Sequence, residues 1–446
     1  MYYQLFTRRI YLIAASIFWA VLGVVDAGLA SPPEVPMLSG ESPSTQRVVQ
    51  HQTYLAAASD DGKKIPLAIG SGLATIYSSG DASLLLALSD RGPNITLNNA
   101  RGGTAEQALF PKPDFNPSFY ALTVRGSDIS VQPSPGDSDT GFLLPKGQAL
   151  PVTSSTGHAM TGLPSSREDE IALDSSHSEI DIPRDGGHGI DPEAVTFDTH
   201  RKILWVAEEY GPSLLAIDPS TRRITKELYP GAGLPELVKH RATNRGFEGL
   251  AYMPSDHLAA ILQSPLHNRS NSTREGFVRL LILPATANPK DAVVTYPLVL
   301  PTNAEPDSYK IGELVSLSNH RFLALEAYKS KDDKKHYHAI LLDLHKARAI
   351  DSDHFITSTG KITAPIQRSL VLDFKDFSWD SGKIEGLALI NRNRTLIVSK
   401  DNDFGITLKP RDGEKAGAQI ATFQDVPTEF LILDFPRPIE DLIATP

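Results

Sequence analysis

Three short runs in this 446-residue chain place a carboxylate before a small residue and an apolar step: DPEAVTF at 191–197, GFEGLAY at 246–252 and KIEGLAL at 383–389. GELVSL, from 312, is a looser fourth copy. Aligned on the acid, Glu193, Glu248, Glu313 and Glu385 lie 55, 65 and 72 residues apart. Acids brought into one confined place repel unless they hold protons or a cation, and oxygen-only ligands favour calcium or magnesium over zinc. Asp401 and Asp403 flank Asn402 and, on an extended segment, would point to the same side and enlarge such a site. Asp90 and Glu209 end comparable runs elsewhere.

These acids need elements to carry them. The apolar runs of the chain are four to eight residues long and bounded by Gly, Pro, Asn or Asp, as in ILWVAEEYG, HLAAILQS, VRLLILP and TLIVSKDND, which predicts strands. Each acid begins a unit of turn, buried strand and polar end, and GSGLATIYSSGDASLLLALSDRGP keeps the pattern with Ser71-Gly72 in the acid's place. Repeats slightly longer than a four-stranded blade, in an all-β chain, predict a β-propeller of six blades with long surface insertions. The first strand of each blade would line a central channel, so equivalent positions would converge. Against this stands a plainer role: a Glu before Gly-Leu-Ala can hydrogen-bond the backbone of the next blade, and Asp401-Asn402-Asp403 can be only an Asx turn.

Composition narrows the function. The 43 basic and 53 acidic residues give a formal net charge of -10, and only KDDKK at 331–335 is a basic run, which argues against a nucleic-acid partner. Residues 1–30 read as an export signal, with a positive start, an apolar core and small residues at Ala27 and Ala30, so the mature protein is expected to be periplasmic or extracellular and free of the membrane. The chain has no cysteine, and its stability must come from a large core, bound ions or both. Residues 31–50 are expected to be a flexible spacer, 51–446 the propeller, and 126–185 a surface insertion. No HExxH, GxxxxGK[ST] or GxSxG run is present.

Taken together, GIDPEAVTFDTHRKILWVAEEYGPSLLAID, NRGFEGLAYMP with LQSPL, KIEGLALINRNRTLIVSKDNDFG and LSDRGPN resemble the signatures of the phytase-like family, described as "esterase-like activity of phytase". The resemblance implies an exported β-propeller associated with hydrolysis of phosphoric esters. Combined with the convergence of acids argued above, this gives a leading reading in which calcium, with magnesium as the alternative, would be held by some of Glu193, Glu248, Glu385, Asp401 and Asp403. Glu248 and Glu385 would act in catalysis, and Arg91, Arg245 and Lys400 would bind a small anionic substrate such as a phosphate ester. Each of these three cations could equally neutralise a neighbouring acid. Two other readings fit the same scaffold: a lactonase or carboxylic esterase with a channel metal, and a non-catalytic binding module with a structural ion.

Overall fold

ILWVAE (Ile203–Glu208) and HLAAIL (His257–Leu262) are buried along nearly their whole length, whereas Arg223–Pro230 buries only Ile224 and Leu228, both on one face. A continuously apolar strand needs cover on both faces, and an alternating one needs it on a single face. A computed structural model shows how both demands are met. It describes residues 42–58, 64–80, 82–97, 106–126, 128–131, 150–165, 170–182, 189–268, 272–286, 288–357, 362–410 and 419–443. The expected export signal lies outside the described residues.

Five sheets, each built on four antiparallel strands, follow one another along the chain. Their first strands are Gly72–Ser78, Pro192–Asp198, Phe247–Met253, Lys310–Ser316 and Ile384–Ile390. Each first strand packs on the next, and the fifth packs on the first, so the five form a closed ring. The middle strands show why. In Ser83–Leu88 of the first sheet, Leu85 and Ala87 join residues of the fifth sheet, while Leu86 and Leu88 join those of the second. In Arg321–Lys329 of the fourth, Leu323 and Leu325 pack toward the fifth sheet and Phe322 and Ala324 toward the third. The period-two alternation of a strand thus fills two cores at once, one on each side of its sheet.

This is the arrangement of a β-propeller, with almost no helix: Ile439–Leu442 is the one α-helical turn among the described residues. The expected sixth blade is absent among them, which hold five such sheets. No helix among the described residues is long and apolar enough to cross a membrane.

Two expectations about boundaries are corrected. Thr45–His51, all but the last residue of which falls in the expected flexible spacer, is a strand paired in full register with Thr428–Asp434, and it completes the fifth sheet. Its low apolar content is no obstacle, because an outermost strand buries little and contributes mainly backbone hydrogen bonds. The stretch 126–185 is only partly a surface insertion. Its Glu170–Leu173 pairs in parallel with Glu106–Leu109 in a small separate sheet, and Val152, Met160, Ala172 and Ile182 are core residues.

Candidate functional site

The repeated Glu sits at the same irregularity in three sheets. Pro192 pairs with Glu208 and Ala194 with Ala207; Phe247 pairs with Leu262 and Gly249 with Ile261; Ile384 pairs with Lys400 and Gly386 with Ser399. Glu193, Glu248 and Glu385 are therefore the extra residues of β-bulges, a device that re-aims a side chain away from the regular pleat. The small residue that follows has its own cause. A Cβ on Gly249 would lie 2.6 Å from the carbonyl oxygen of Gly312, and one on Gly386 2.7 Å from that of Gly70, so the inner strands approach too closely for a larger residue. Ser71 occupies the acid's place in the first sheet, where the N–H groups of Gly70 and Ser71 both donate to the Leu88 carbonyl.

The fourth sheet departs from the pattern. Ile311 pairs with Glu326 and Leu314 with Ala324, so Gly312 takes the place of the acid and Glu313 that of the glycine. Glu313 is buried, and its carboxylate accepts the backbone N–H groups of Leu73, Leu250 and Leu314. The plainer stitching role describes Glu313; it does not describe the other three.

The second strand of each sheet adds a matched position. The N–H groups of Glu209, Gln263 and Asp401 donate to the carbonyls of Asp191, Gly246 and Lys383, each two residues before the Glu of its own sheet. The ring thus combines Asp191–Glu193–Glu209, Gly246–Glu248–Gln263 and Lys383–Glu385–Asp401. Asp191, Glu193 and Glu209 each offer an oxygen, and these oxygens lie within 4.8 Å of one another, a spacing that could hold a metal ion. Of the ligand set expected from sequence, only Glu193 belongs to this cluster. Glu248 stands beside it with Oε2 buried and without a hydrogen-bond partner among the described residues. Glu385, Asp401 and Asp403 gather instead around Lys383, whose ammonium contacts Asp403 and lies 3.5 Å from Asp401 Oδ2.

Asp401 and Asp403 do not lie on an extended segment. Asp401 Oδ1 accepts the N–H of Asp403, Asn402 Oδ1 accepts that of Phe404, and Asp403 has a φ of 49°, so the stretch is an Asx-type turn that still delivers both acids to one lysine.

Electrostatics follow from burial and crowding. Burial first, then neighbouring acids, pushes the carboxyls of Asp90, Asp191, Glu193 and Glu385 well above the usual carboxylate range. Burial likewise raises Glu209 and Glu248 to about 7, with Lys310 pulling both back. For Lys383 burial works against the charge, but Asp401, Glu385 and Asp403 outweigh it and hold the ammonium protonated. Without a cation, the ring is thus a set of acids that share protons.

The three cations expected to grip substrate each have partners within the protein. Arg91 lies 2.8 Å from Glu170 and 3.4 Å from Asp191, and also donates to the Tyr210 hydroxyl and Asn94. Arg245 donates to Ser264 Oγ and the Tyr309 carbonyl. Lys400 pairs with Asp380 at 2.9 Å and approaches Glu429 at 3.9 Å. A cavity of about 340 Å³ has Glu248 and Glu385 in its wall, and its cations are Lys310, Lys329, Lys335 and Lys383. Sequence reasoning missed these and Asp191. The available signal was positional: Asp191 and Lys383 both stand two residues before a repeated Glu.

Comparison with known proteins agrees with the motifs. No curated protein matches the sequence. Among solved structures, an α-L-arabinofuranosidase of Podospora anserina in complex with cellotriose is 9% identical, with 91% of this chain and 99% of that one covered and a TM-score of 0.37. The catalytic domain of a Coprinopsis cinerea GH62 α-L-arabinofuranosidase is 8% identical, covering 90% and 98%, at 0.36. The periplasmic gluconolactonase of Pseudomonas aeruginosa is 10% identical, covering 88% and 100%, at 0.31. Likenesses this distant assign no activity. The family profile described as "Phytase-like: Esterase-like activity of phytase" matches residues 70–404, and the chain belongs to that family.

Proposed function

We propose that the protein is an exported, metal-dependent hydrolase of phosphoric esters on a five-bladed propeller, working at the ring of acids and the cavity beside it. The observation that carries this reading is Glu248, whose Oε2 is buried, unpartnered among the described residues, beside Glu193 and Glu209 and in the wall of a cavity that Lys310 and Lys383 also line. A buried acceptor without a donor costs free energy, and such costs persist where a ligand or a reaction uses the group.

Asp191, Glu193 and Glu209 offer only carboxylate oxygens, a donor set suited to calcium or magnesium. A bound cation supplies Lewis acidity and a more acidic water. The chain's residues do the rest. Glu248, raised to about 7 by burial, is suited to take a proton from the attacking water at Oε2. Glu385, held protonated well above the usual range, is placed to give its proton to the leaving oxygen. Lys310 and Lys383 set positive charge in the wall where an anionic ester would lie.

A hydrolysis screen of phosphomonoesters, phytate, phosphodiesters and lactones, with and without added calcium, tests this. Calcium-dependent release of phosphate, reduced at least about a hundredfold in Glu248→Gln, is expected. Turnover confined to lactones or carboxylic esters would assign the site to that class, and turnover of none would leave a binding module with a structural ion.

A further inference from the structure

The position two residues before each repeated Glu is filled three ways. It is Asp191 in the second sheet, Gly246 in the third and Lys383 in the fifth, and in all three the carbonyl of that residue accepts the same backbone hydrogen bond, from Glu209, Gln263 and Asp401 respectively. The backbone frame is therefore constant while the side chain changes from anion to nothing to cation. In the second sheet the frame gives three carboxylates with mutually close oxygens. In the fifth it gives Glu385 and Asp401 with an ammonium already among them, and Asp403 from the adjoining turn touching the same ammonium.

We propose that the ring takes one divalent cation, on Asp191, Glu193 and Glu209, and that Lys383 is a tethered cation that fills the matching place in the fifth sheet and excludes a second ion from Glu385, Asp401 and Asp403. The acids alone would not carry this. The independent observation is Glu248: the residue is buried, and its Oε2 has no hydrogen-bond partner among the described residues. Among the described residues no lysine ammonium is seated in an ion pair within that half of the ring; Lys310 acts on Glu209 and Glu248 without one. Arg91 is shared between Glu170 at 2.8 Å and the cluster's own Asp191 at 3.4 Å. The other half has its charge supplied in cis. Half of the Lys383 side chain is open to solvent while its ammonium meets the carboxylates, so the stem spans the cavity wall and the head occupies the place an ion would take. A tethered ammonium meets its carboxylates as an intramolecular partner, without the concentration dependence of a free ion.

The inference rests on the cation of the proposed function but is read without turnover. Calcium binding to the mature chain would be measured by isothermal titration calorimetry and equilibrium dialysis. One ion per chain is expected for the wild type, and two for Lys383→Met, which keeps the stem and removes the charge. Glu209→Gln should weaken the wild-type ion at least about tenfold, because ligand charge sets affinity. Asp401→Asn should leave it within about twofold, since charge outside the ligand set acts only through screened, longer-range terms. Should Lys383→Met fail to fold, the contrast between Glu209→Gln and Asp401→Asn decides alone. Two ions or none on the wild type, one ion on folded Lys383→Met, or equal weakening by Glu209→Gln and Asp401→Asn would each overturn the proposal. A chain that binds one ion and hydrolyses no ester would leave it standing while ending the hydrolase reading.

Discussion

Glu313 Oε2 accepts the backbone N–H of Leu73 at 3.2 Å, which joins the inner strands of the fourth and first sheets although these are not neighbours in the ring. Its Oε1 accepts from Leu250 of the third sheet and from Leu314. One carboxyl group thus ties three inner strands at the centre of the molecule. Glu313→Ala leaves those donors buried without an acceptor and should cost at least about 3 kcal/mol, whereas Glu313→Gln, which keeps one acceptor oxygen, should cost about 1–2 kcal/mol. Urea unfolding measures both. Because Glu313 lies outside the proposed cation cluster, any stabilisation by calcium of folded Glu313→Gln should equal that of the wild type.

The glycines after Glu248 and Glu385 are explained by close approach, and Gly386 gives the sharpest test. A Cβ there would lie 2.3 Å from Ser399 Oγ and 2.7 Å from the Gly70 carbonyl oxygen. Ser399 Oγ itself donates to that carbonyl at 2.6 Å, so it cannot turn aside without losing a buried hydrogen bond. Gly386→Ala should destabilise by about 2–3 kcal/mol through overpacking. Gly382→Ala, whose new atom would come no closer than 3.5 Å to the Asp380 carboxylate, should change stability by less than about 0.5 kcal/mol. Thermal melts of the two variants, which lie four residues apart, provide the comparison.

The ring is closed by a strand from the start of the described chain. Thr45–His51 covers the edge of Thr428–Asp434, with Arg47 paired to Asp434 at 2.9 Å and Gln50 donating to Glu429 at 2.8 Å. A chain beginning at Thr53 would expose that edge and should melt at least about 5 °C lower. It should also self-associate on size-exclusion chromatography, as uncovered edges do. Adding a peptide of residues 43–52 should restore part of the lost stability by strand addition. Unchanged melting in the truncated chain would mean that the strand contributes nothing to closure.

Glu326 carries an acid-dependent share of the stability. Burial alone would raise its carboxyl, but Arg368, hydrogen-bonded to both its oxygens, outweighs burial and holds it at about 2, aided by His338. Tyr309 also donates to Oε1 at 2.8 Å. A carboxyl whose folded value lies below its ordinary 4.5 contributes stability above pH 4.5 and loses it as pH falls toward 2. The wild type should therefore lose roughly 1.4 kcal/mol per pH unit from this group across that window. Arg368→Met should cost about 3–5 kcal/mol at pH 7, because it leaves a buried charge unpaired. It should also abolish this group's acid slope, since burial then raises the carboxyl instead. Denaturant midpoints from pH 7 to pH 3 measure both effects.

The sequence by itself determined the strand character, the repeat and the family, because these depend on short-range patterns: apolar runs of strand length, a bounded repeat, and an acid before a small or apolar step in four of its units. Even the bulge is written locally, as the acid followed by the small residue that the crowded inner strands require. Tertiary structure decided which acids share a site. Glu313 looks like its counterparts, yet a one-residue difference in register moves it from the acid's place to the glycine's, and strand period converts that shift into the opposite direction. Arg91 sits in an attractive motif, but Glu170, 79 residues away, claims it. Asp191 and Lys383 have no motif of their own, and their roles depend on what the second strand of the same sheet brings beside them. Nearly all of Thr45–His51 reads as spacer because its partner lies almost at the other end of the chain, with Thr45 and Asp434 separated by 389 positions. Local sequence encodes local geometry, whereas charge compensation and ring closure depend on groups that only the folded chain brings within a few ångströms.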